Sequence, residues 1–340
     1  MDSAHITAQK EFPEIRYFEL SNTSISANAS SLLKDGRLLL SEHLYENSER
    51  IVAAYKLASQ YDEHAALIPT YRKTTLPVGI FLSGDGSFNW YHWLIEILPR
   101  AMLIDGLPER LRNYPVLVPP EFQKYESFRL SFELLNITND VLILEDDKVY
   151  EVANLVYIET PSITPFNMRP GLWPEAADCY NQNELLLSFR AKILDTLNIR
   201  PSSVKRRVFL ARSNSRRHYD QEKVITLMSE LNVETVYPDQ LDFSDQVQLF
   251  HDAELVIGSS GAAWAGLLFA NKACKGVIWT FPEYAQASIF SNIANMVGVD
   301  LRFLFFNSTK AVRSTDELYS ASYEMDLNRL RNTVLAVDSI

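Results

Sequence analysis

Between residues 89 and 100 the chain reads Asn-Trp-Tyr-His-Trp-Leu-Ile-Glu-Ile-Leu-Pro-Arg. The run has no glycine and is mostly large and apolar, which predicts a buried helix. Its ionisable members, His92, Glu96 and Arg100, are spaced i, i+4, i+8 and so share one stripe of that helix, about a turn apart. Every other face carries Trp, Tyr, Leu or Ile. An imidazole and a carboxyl one turn apart can serve as a base and the group that orients it. In the blander reading Glu96 pairs with Arg100 around a satisfied core histidine. Burying three ionisable groups without a use for them is costly, and that favours the wall of an active site. Pro99 removes a backbone donor and should kink or end the helix.

A second constellation is basic: Lys205, Arg206, Arg207, Arg212, Arg216, Arg217 and His218. A strand over Arg207–Ala211 would separate them. Lys205 and Arg206 fall at the far edge of a sheet, where they are solvated. Arg212, Arg216, Arg217 and His218 fall at its carboxyl edge, where open α/β sheets bind ligands. Gly258-Ser259-Ser260-Gly261 follows another strand and leads into a helix, so its free backbone N–H groups and the helix dipole suit a phosphate. A Gly-x-x-Gly turn alone often serves only packing, and charge runs are often merely solvated. Guanidinium forks that match diphosphate oxygens, set beside such a turn in an acidic protein, point to an anionic ligand.

These residues need elements to hold them. Pro77–Ser83 reads as a strand running into the turn Gly84-Asp85-Gly86-Ser87, with Asn89 as the cap of the following helix. Residues 1 to about 36, Ser/Asn-rich at Ser21–Ser31, read as an irregular lead-in. A short strand is expected at Arg37–Ser41 and a helix at Glu49–Ser59. Strands follow at Pro115–Val118, Val141–Glu145 and Asn154–Glu159, with a helix over Glu121–Leu135. A proline-rich loop from 160 to about 183 and a helix over Gln182–Leu197 lie at the domain boundary.

The second half alternates regularly. Strands are expected at Arg207–Ala211, Val233–Tyr237, Leu255–Gly258, Gly276–Phe281 and Leu301–Phe306. Helices are expected from Asp220 to Leu231, from Ser244 or Asp245 to Ala253, over Ala262–Ala270 and over Tyr284–Val297. Five strands and four helices at short intervals predict a doubly wound parallel sheet. A last helix within Asp316–Ala336 is expected to pack back on the first domain. The expected blocks are 1–180, 181–310 and 311–340.

The totals narrow the function. The 340 residues suit two domains, and 47% hydrophobic content suffices for two cores. A net charge of −11 argues against a nucleic-acid partner, which would need a basic face. Cys179 and Cys274 make no disulfide framework, so a reduced, cytoplasmic setting is expected. The N-terminus lacks the apolar segment of a signal peptide, and no run has the length of a membrane helix. Peripheral association with the inner face of a membrane is left open. No Walker lysine motif, dinucleotide fingerprint, nucleophile elbow or Cys/His metal spacing is present, so no bound cofactor and no metal are expected. Asp146-Asp147 and Asp85 read as loop carboxylates rather than cation ligands.

Asn-x-x-His-Trp-x-x-Glu-x-x-Pro-Arg (Asn89–Arg100) resembles the N-terminal signature of glycosyltransferase family 61. Arg212-x-x-x-Arg-Arg, the pattern Pro238-x-x-Leu-x-Phe-x-x-Gln-Val-x-Leu-Phe and the pattern Ala253-x-x-Val-Ile-Gly-x-x-Gly-Ala, continued by Leu268-Phe269, resemble its C-terminal half. The likeness runs over about residues 75 to 285. It implies an α/β chain of two Rossmann-like domains facing across a cleft (the GT-B arrangement), a nucleoside diphosphate sugar as co-substrate, and an inverting, metal-independent transfer. Bacterial members are linked to capsule and surface polysaccharide. Ser260 stands where the family usually has His, which would weaken phosphate contact. Trp279 stands where an acidic residue is usual, which would move ribose recognition to Glu283 or remove it.

On this reading Arg212, Arg217, Asn214, Ser259, Ser260, Gly261, Ala262 and Glu283 bind the donor. Asn89 and Asp85 lie on the side of a glycan or lipid-linked glycan acceptor. His92 or Glu96 takes the acceptor proton, with the choice between them open, and Arg100 pairs with Glu96. Two rival readings remain: a non-catalytic binding relative within a synthesis complex, and a hydrolase or epimerase of the same nucleotide sugars.

Overall fold

The computed structural model describes residues 14–41, 49–50, 57, 59–60, 66–67, 72–165, 168–200, 205–213 and 218–338. The helix expected over Glu49–Ser59 lies almost wholly outside them. The chain is mixed α/β and forms two compact units. Of the described residues, the N-terminal unit holds 14–169 and 181–193, and the C-terminal unit 170–180 and 194–338. The units therefore interleave between 169 and 194 instead of following as consecutive blocks.

The N-terminal unit is built on a seven-stranded sheet in the order Arg37–Leu39, Leu32–Lys34, Tyr17–Ile25, Lys148–Ile158, Arg72–Phe81, Val116–Val118, Val141–Ile143. The last four strands are mutually parallel, and the first three pair antiparallel. The supposed lead-in is thus a nine-residue strand, Tyr17–Ile25, held along its length by Lys148–Ile158. Its outer half is mostly exposed and only Thr23, Ser24 and Ile25 are buried, so polar side chains suit it. Ile25, Phe81, Leu117, Leu144, Val152 and Leu155 form the core behind the sheet. The helix expected over Glu121–Leu135 breaks at Tyr125, whose backbone is extended, into Glu121–Lys124 and Glu126–Glu133.

In the C-terminal unit five parallel strands lie in the order Glu234–Val236, Arg206–Leu210, Ala253–Ser259, Lys275–Thr280, Asp300–Phe305. Numbered along the chain this is 2-1-3-4-5, a doubly wound sheet whose order reverses between Arg206–Leu210 and Ala253–Ser259. Asp220 caps its helix by accepting from the Lys223 N–H. The next cap is Asp242, which accepts from the Asp245 N–H at 2.8 Å, not Ser244 or Asp245. Residues Ala262–Phe269 are a 3₁₀ helix, and the helix expected from Tyr284 begins only at Ile289.

The tail forms two helices, Thr315–Ser320 and Leu327–Asp338. Leu330, Val334 and Val337 are fully buried in the same core as Phe209, Ile257 and Val277. Burying such side chains stabilises by roughly 1.5–3 kcal/mol each. This helix is therefore part of the C-terminal unit's own core, a correction to the expectation that it packs on the first domain.

Candidate active site

The strand Arg72–Phe81 ends in Leu82-Ser83-Gly84-Asp85-Gly86-Ser87, a turn at the carboxyl edge of the parallel part of the sheet. Gly84 has φ 153° and Gly86 φ 72°, conformations that side chains with a Cβ avoid. Space requires glycine here too. A Cβ on Gly86 would lie 2.6 Å from His92 Cδ2, and one on Gly84 2.8 Å from Ser30 Oγ. The turn is pressed between the His92 ring on one side and the Ser30 loop on the other.

That loop was read as an irregular Ser21–Ser31 segment, yet residues 23–29 are all buried. Ser30 Oγ accepts from the Asp85 N–H at 2.9 Å. Ser87 Oγ lies 2.7 Å from Asn28 Oδ1 and 3.1 Å from the Ala27 carbonyl, and Asn28 Nδ2 donates to Asp146. Small hydroxyls and one Asn satisfy each other under the turn, which is why a polar tract can be buried there. Asp146, in the turn before Lys148–Ile158, is tied to this same network.

Asn89 caps the helix, its Oδ1 accepting from the Tyr91 N–H at 2.9 Å. The helix then changes pitch twice. Trp90–His92 is α-helical, Trp93–Ile97 is a π-turn closed by the Leu98 N–H on the Trp93 carbonyl, and Leu98–Gly106 is 3₁₀. Pro99 has no N–H to continue an α-helical ladder. The Glu96 carbonyl lies instead 3.0 Å from Thr160 Oγ1, just beyond the strand Lys148–Ile158. Wide π-turns of this kind occur mostly at functional sites. Trp93 anchors the opposite face, with Nε1 donating to Ser131 Oγ at 3.0 Å and its ring stacked on Phe128.

Within that frame His92 Nδ1 sits 2.8 Å from Glu96 Oε2, both side chains largely buried. The expected pairing of Glu96 with Arg100 does not occur. The π-turn carries Arg100 off the stripe. Its guanidinium donates to the carbonyls of Ser83 at 2.6 Å, Ile97 at 3.3 Å and Ile158 at 3.3 Å. Arg100 thus ties the helix to the ends of two neighbouring strands. Burial lowers its pKa to about 10, against the opposing pull of Tyr157 and Glu96.

Asp85 completes the group. Burial raises its pKa from 3.8 to about 7; a backbone hydrogen bond from Ser30 and the His92 charge pull it down, and the Glu96 charge pushes it up. The stability tied to its protonated form is complete below the unfolded value of 3.8 and is lost as pH rises through about 7. Asp85 Oδ1 and Glu96 Oε1 are both buried with no hydrogen-bond partner. Among the described residues, no group of three or more His, Cys, Asp or Glu is placed to hold a metal ion.

Because the Gly86 backbone abuts the imidazole, Gly86→Ala is expected to turn His92 off its partner. If the ring takes part in the chemistry, turnover should fall by about 100-fold, as a misplacement of around 1 Å can cost. Steady-state rates beside a thermal melt would check this. Unchanged turnover in a folded variant would show that the ring's position is irrelevant to the chemistry.

In the C-terminal unit the ligand edge lies where the strand order reverses. Arg212 follows Arg206–Leu210, and Ser259-Ser260-Gly261 ends Ala253–Ser259. The two meet there: Arg212 Nη2 donates to the Ser260 carbonyl at 2.5 Å. Gln221 holds the Arg212 backbone from both sides, accepting from its N–H at 2.9 Å and donating to its carbonyl at 3.0 Å. Tyr219 OH lies 3.1 Å from the same Gln221 Oε1, and burial pushes the Tyr219 phenol up to about 12. Gln221 and Tyr219 were missed, since neither stands out by type or spacing.

The other expected donor residues divide. Asn214 and Arg217, with Arg216, lie outside the described residues. The Ser260 N–H is committed to the Trp279 carbonyl at 2.7 Å, so of the four-residue amide group the N–H groups of Gly261 and Ala262 stand at the helix start. Ser260 Oγ lies 3.1 Å from Thr280 Oγ1. Trp264 Nε1 donates to the Ser259 carbonyl, and the buried Ser259 hydroxyl lies by the Tyr219 phenol, whose pKa it pulls down. Trp279 is fully buried, stacked on Phe209 and edge-on to Tyr219. Glu283, on the turn Pro282–Tyr284, has Oε2 buried and unpartnered. Arg206 pairs with Glu234 at the far edge.

Fold and constellation define a mixed α/β protein with a buried His92–Glu96 pair in one unit and an arginine at the sheet reversal of the other. The family model for Glycosyltransferase 61 matches residues 90–277, more than half of the chain, from the helix of His92 to the fourth strand of the parallel sheet. The chain belongs to glycosyltransferase family 61, and it is an enzyme that transfers a sugar from a donor to an acceptor. Compared with the curated proteins, it matches none. No helix among the described residues is long and apolar enough to cross a membrane.

Proposed function

We propose that this glycosyltransferase is inverting and metal-independent, and moves a sugar from a nucleoside diphosphate sugar to a glycan or lipid-linked glycan acceptor in surface polysaccharide synthesis. The two units would be the Rossmann-like halves of a GT-B enzyme, the C-terminal one holding the donor. The observation that carries the reading is the His92–Glu96 contact at 2.8 Å. With Glu96 ionised, His92 Nδ1–H donates to it and Nε2 is left with the lone pair. His92 is then the base and Glu96 the group that fixes its tautomer.

The acceptor O–H gives its proton to His92 Nε2 as the oxygen attacks the anomeric carbon. The bond from that carbon to the diphosphate oxygen breaks, and its electron pair leaves with the nucleoside diphosphate. One base and one displacement invert the anomeric centre. Arg212 and the N–H groups of Gly261 and Ala262, in the C-terminal unit, are donors suited to a diphosphate, which supports a transfer that needs no divalent cation. Asn89 caps the helix of the base, and Asp85 lies beside it. The acidic surface disfavours a nucleic-acid partner. The cytoplasm, at the inner face of a membrane, is where nucleotide sugars and lipid-linked acceptors would meet.

The test is a panel of nucleoside diphosphate sugars offered with oligosaccharide acceptors, with and without EDTA, and with the product's anomeric configuration read by NMR. Transfer with inversion that survives the chelator is expected. Retention of configuration or loss of activity in EDTA would overturn the mechanism. Free or isomerised sugar in place of a transfer product would overturn the reaction class.

A further inference from the structure

Two buried carboxylate oxygens beside one imidazole have no protein donor: Glu96 Oε1 and Asp85 Oδ1. Around them most polar groups are satisfied, Ser31 Oγ being the exception. Each hydroxyl of Ser30, Ser83 and Ser87 has a partner, and Arg100 makes three hydrogen bonds to carbonyls. A buried acceptor left unmade costs roughly 1–3 kcal/mol. Two buried acceptors left unmade near one imidazole suit donors from outside the chain.

Glu96 needs only Oε2 to orient His92, so Oε1 is surplus to the base. Asp85 has no contact that the proton transfer uses. The turn nevertheless takes up glycine backbone at Gly84 and Gly86, on either side of Asp85, to press Gly86 against the imidazole. The same turn continues into Phe88, a residue 37% exposed. An acidic edge and an apolar face on one short segment match a pyranose, which has hydroxyls around its rim and C–H bonds on its faces.

Resting on the reading of His92 as base, we propose that Asp85 is a specificity-determining acceptor-binding residue. Its unpartnered oxygen takes a second ring hydroxyl next to the one that attacks. The acceptor selected is therefore a sugar bearing adjacent hydroxyls, not an isolated alcohol of a serine, threonine or lipid. The attacking hydroxyl stays on His92 Nε2, and Phe88 covers the ring face. With its pKa raised to about 7, Asp85 is protonated in only part of the molecules at neutral pH, and in that form it can both give and accept a hydrogen bond and adds no second negative charge beside Glu96.

The experiment is saturation-transfer NMR on the full chain with methyl pyranosides of several configurations, each compared with its monodeoxy analogues, and with N-acetylserine methyl ester as the lone-hydroxyl probe. Wild type is expected to bind at least one methyl pyranoside, to bind one of its deoxy analogues about tenfold more weakly, as loss of one hydrogen bond implies, and to ignore the serine ester. In Asp85→Ala the parent and deoxy sugars should become equal. Asp85→Asn, which keeps shape and one oxygen, should retain part of the difference even if the alanine variant folds poorly. Phe88→Ala should weaken both sugars alike. His92→Ala should keep the discrimination while losing transfer, so failure of the base assignment and failure of this proposal are separable. An unchanged parent-to-deoxy ratio in folded Asp85→Ala, or equal binding of the serine ester, would overturn it.

Discussion

His92→Ala should lower sugar transfer by about 10²–10⁴-fold, the range general-base catalysis supplies, with nucleoside diphosphate affinity unchanged. Glu96→Gln should be as damaging, for a reason that separates it from loss of packing. The glutamine amide is nearly isosteric with the carboxylate 2.8 Å from His92 Nδ1, but it can present N–H where an acceptor stood. The imidazole then carries its proton on Nε2, where the attacking hydroxyl needs a lone pair. In a Ser-His-Asp triad that tautomer error alone is worth about 10⁴. Glu96→Ala leaves the tautomer free to choose and should be less harmful than Glu96→Gln. Single-turnover rates with saturating donor give the order. If Glu96→Gln exceeded Glu96→Ala in rate, the carboxylate would be acting by charge or as the base itself.

Much of the C-terminal unit was legible because its physics is local. Parallel strands covered on both faces must be apolar throughout, and Val208-Phe209-Leu210, Leu255-Val256-Ile257 and Val277-Ile278-Trp279 read as such runs. Asp220 announces its helix by type and position. The N-terminal unit was less legible because its order is long-range. Nothing in Tyr17–Ile25 itself says strand; the ladder that makes it one is supplied by Lys148–Ile158, far along the chain. Burial of residues 23–29 likewise depends on hydroxyls from the Ser83–Ser87 turn.

The site was legible in part for the same reason. The i, i+4 relation of His92 and Glu96 survives any nearly helical geometry, so the pair forms. The i, i+8 relation extrapolates an ideal pitch across Pro99, and the π-turn breaks it, sending Arg100 to backbone carbonyls. Asp85 is four residues past the end of Arg72–Phe81 and unremarkable by type, so that only the family resemblance placed it on the acceptor side. Its role depends on which ring its turn touches, and only Gly84 and Gly86 on either side hint at a turn under compression.

Arg212 gives the largest expected effect on donor binding. Charge-assisted hydrogen bonds contribute about 1.5–3 kcal/mol, so Arg212→Ala should raise the Kd for a nucleoside diphosphate by roughly 10–100-fold. Arg212→Lys keeps the charge and loses the fork that reaches both the Ser260 carbonyl and a phosphate, so its loss should be intermediate. Gly261 tests the same arrangement without touching the arginine. Its φ of 169° is extended and open to any residue, so alanine there meets no backbone strain. What it meets is the guanidinium, with a Cβ 2.4 Å from Arg212 Nη2. Gly261→Ala should therefore displace Arg212 and weaken binding in the same direction as Arg212→Ala. Combined with Arg212→Ala it should add little, because the group it displaces is already gone. Calorimetric titration of the two single variants and the double variant with uridine, guanosine, adenosine and cytidine diphosphates measures that coupling. Additive losses would mean that Gly261 acts on the ligand by another route, and an unchanged Kd in Arg212→Ala would move the diphosphate away from the sheet reversal altogether.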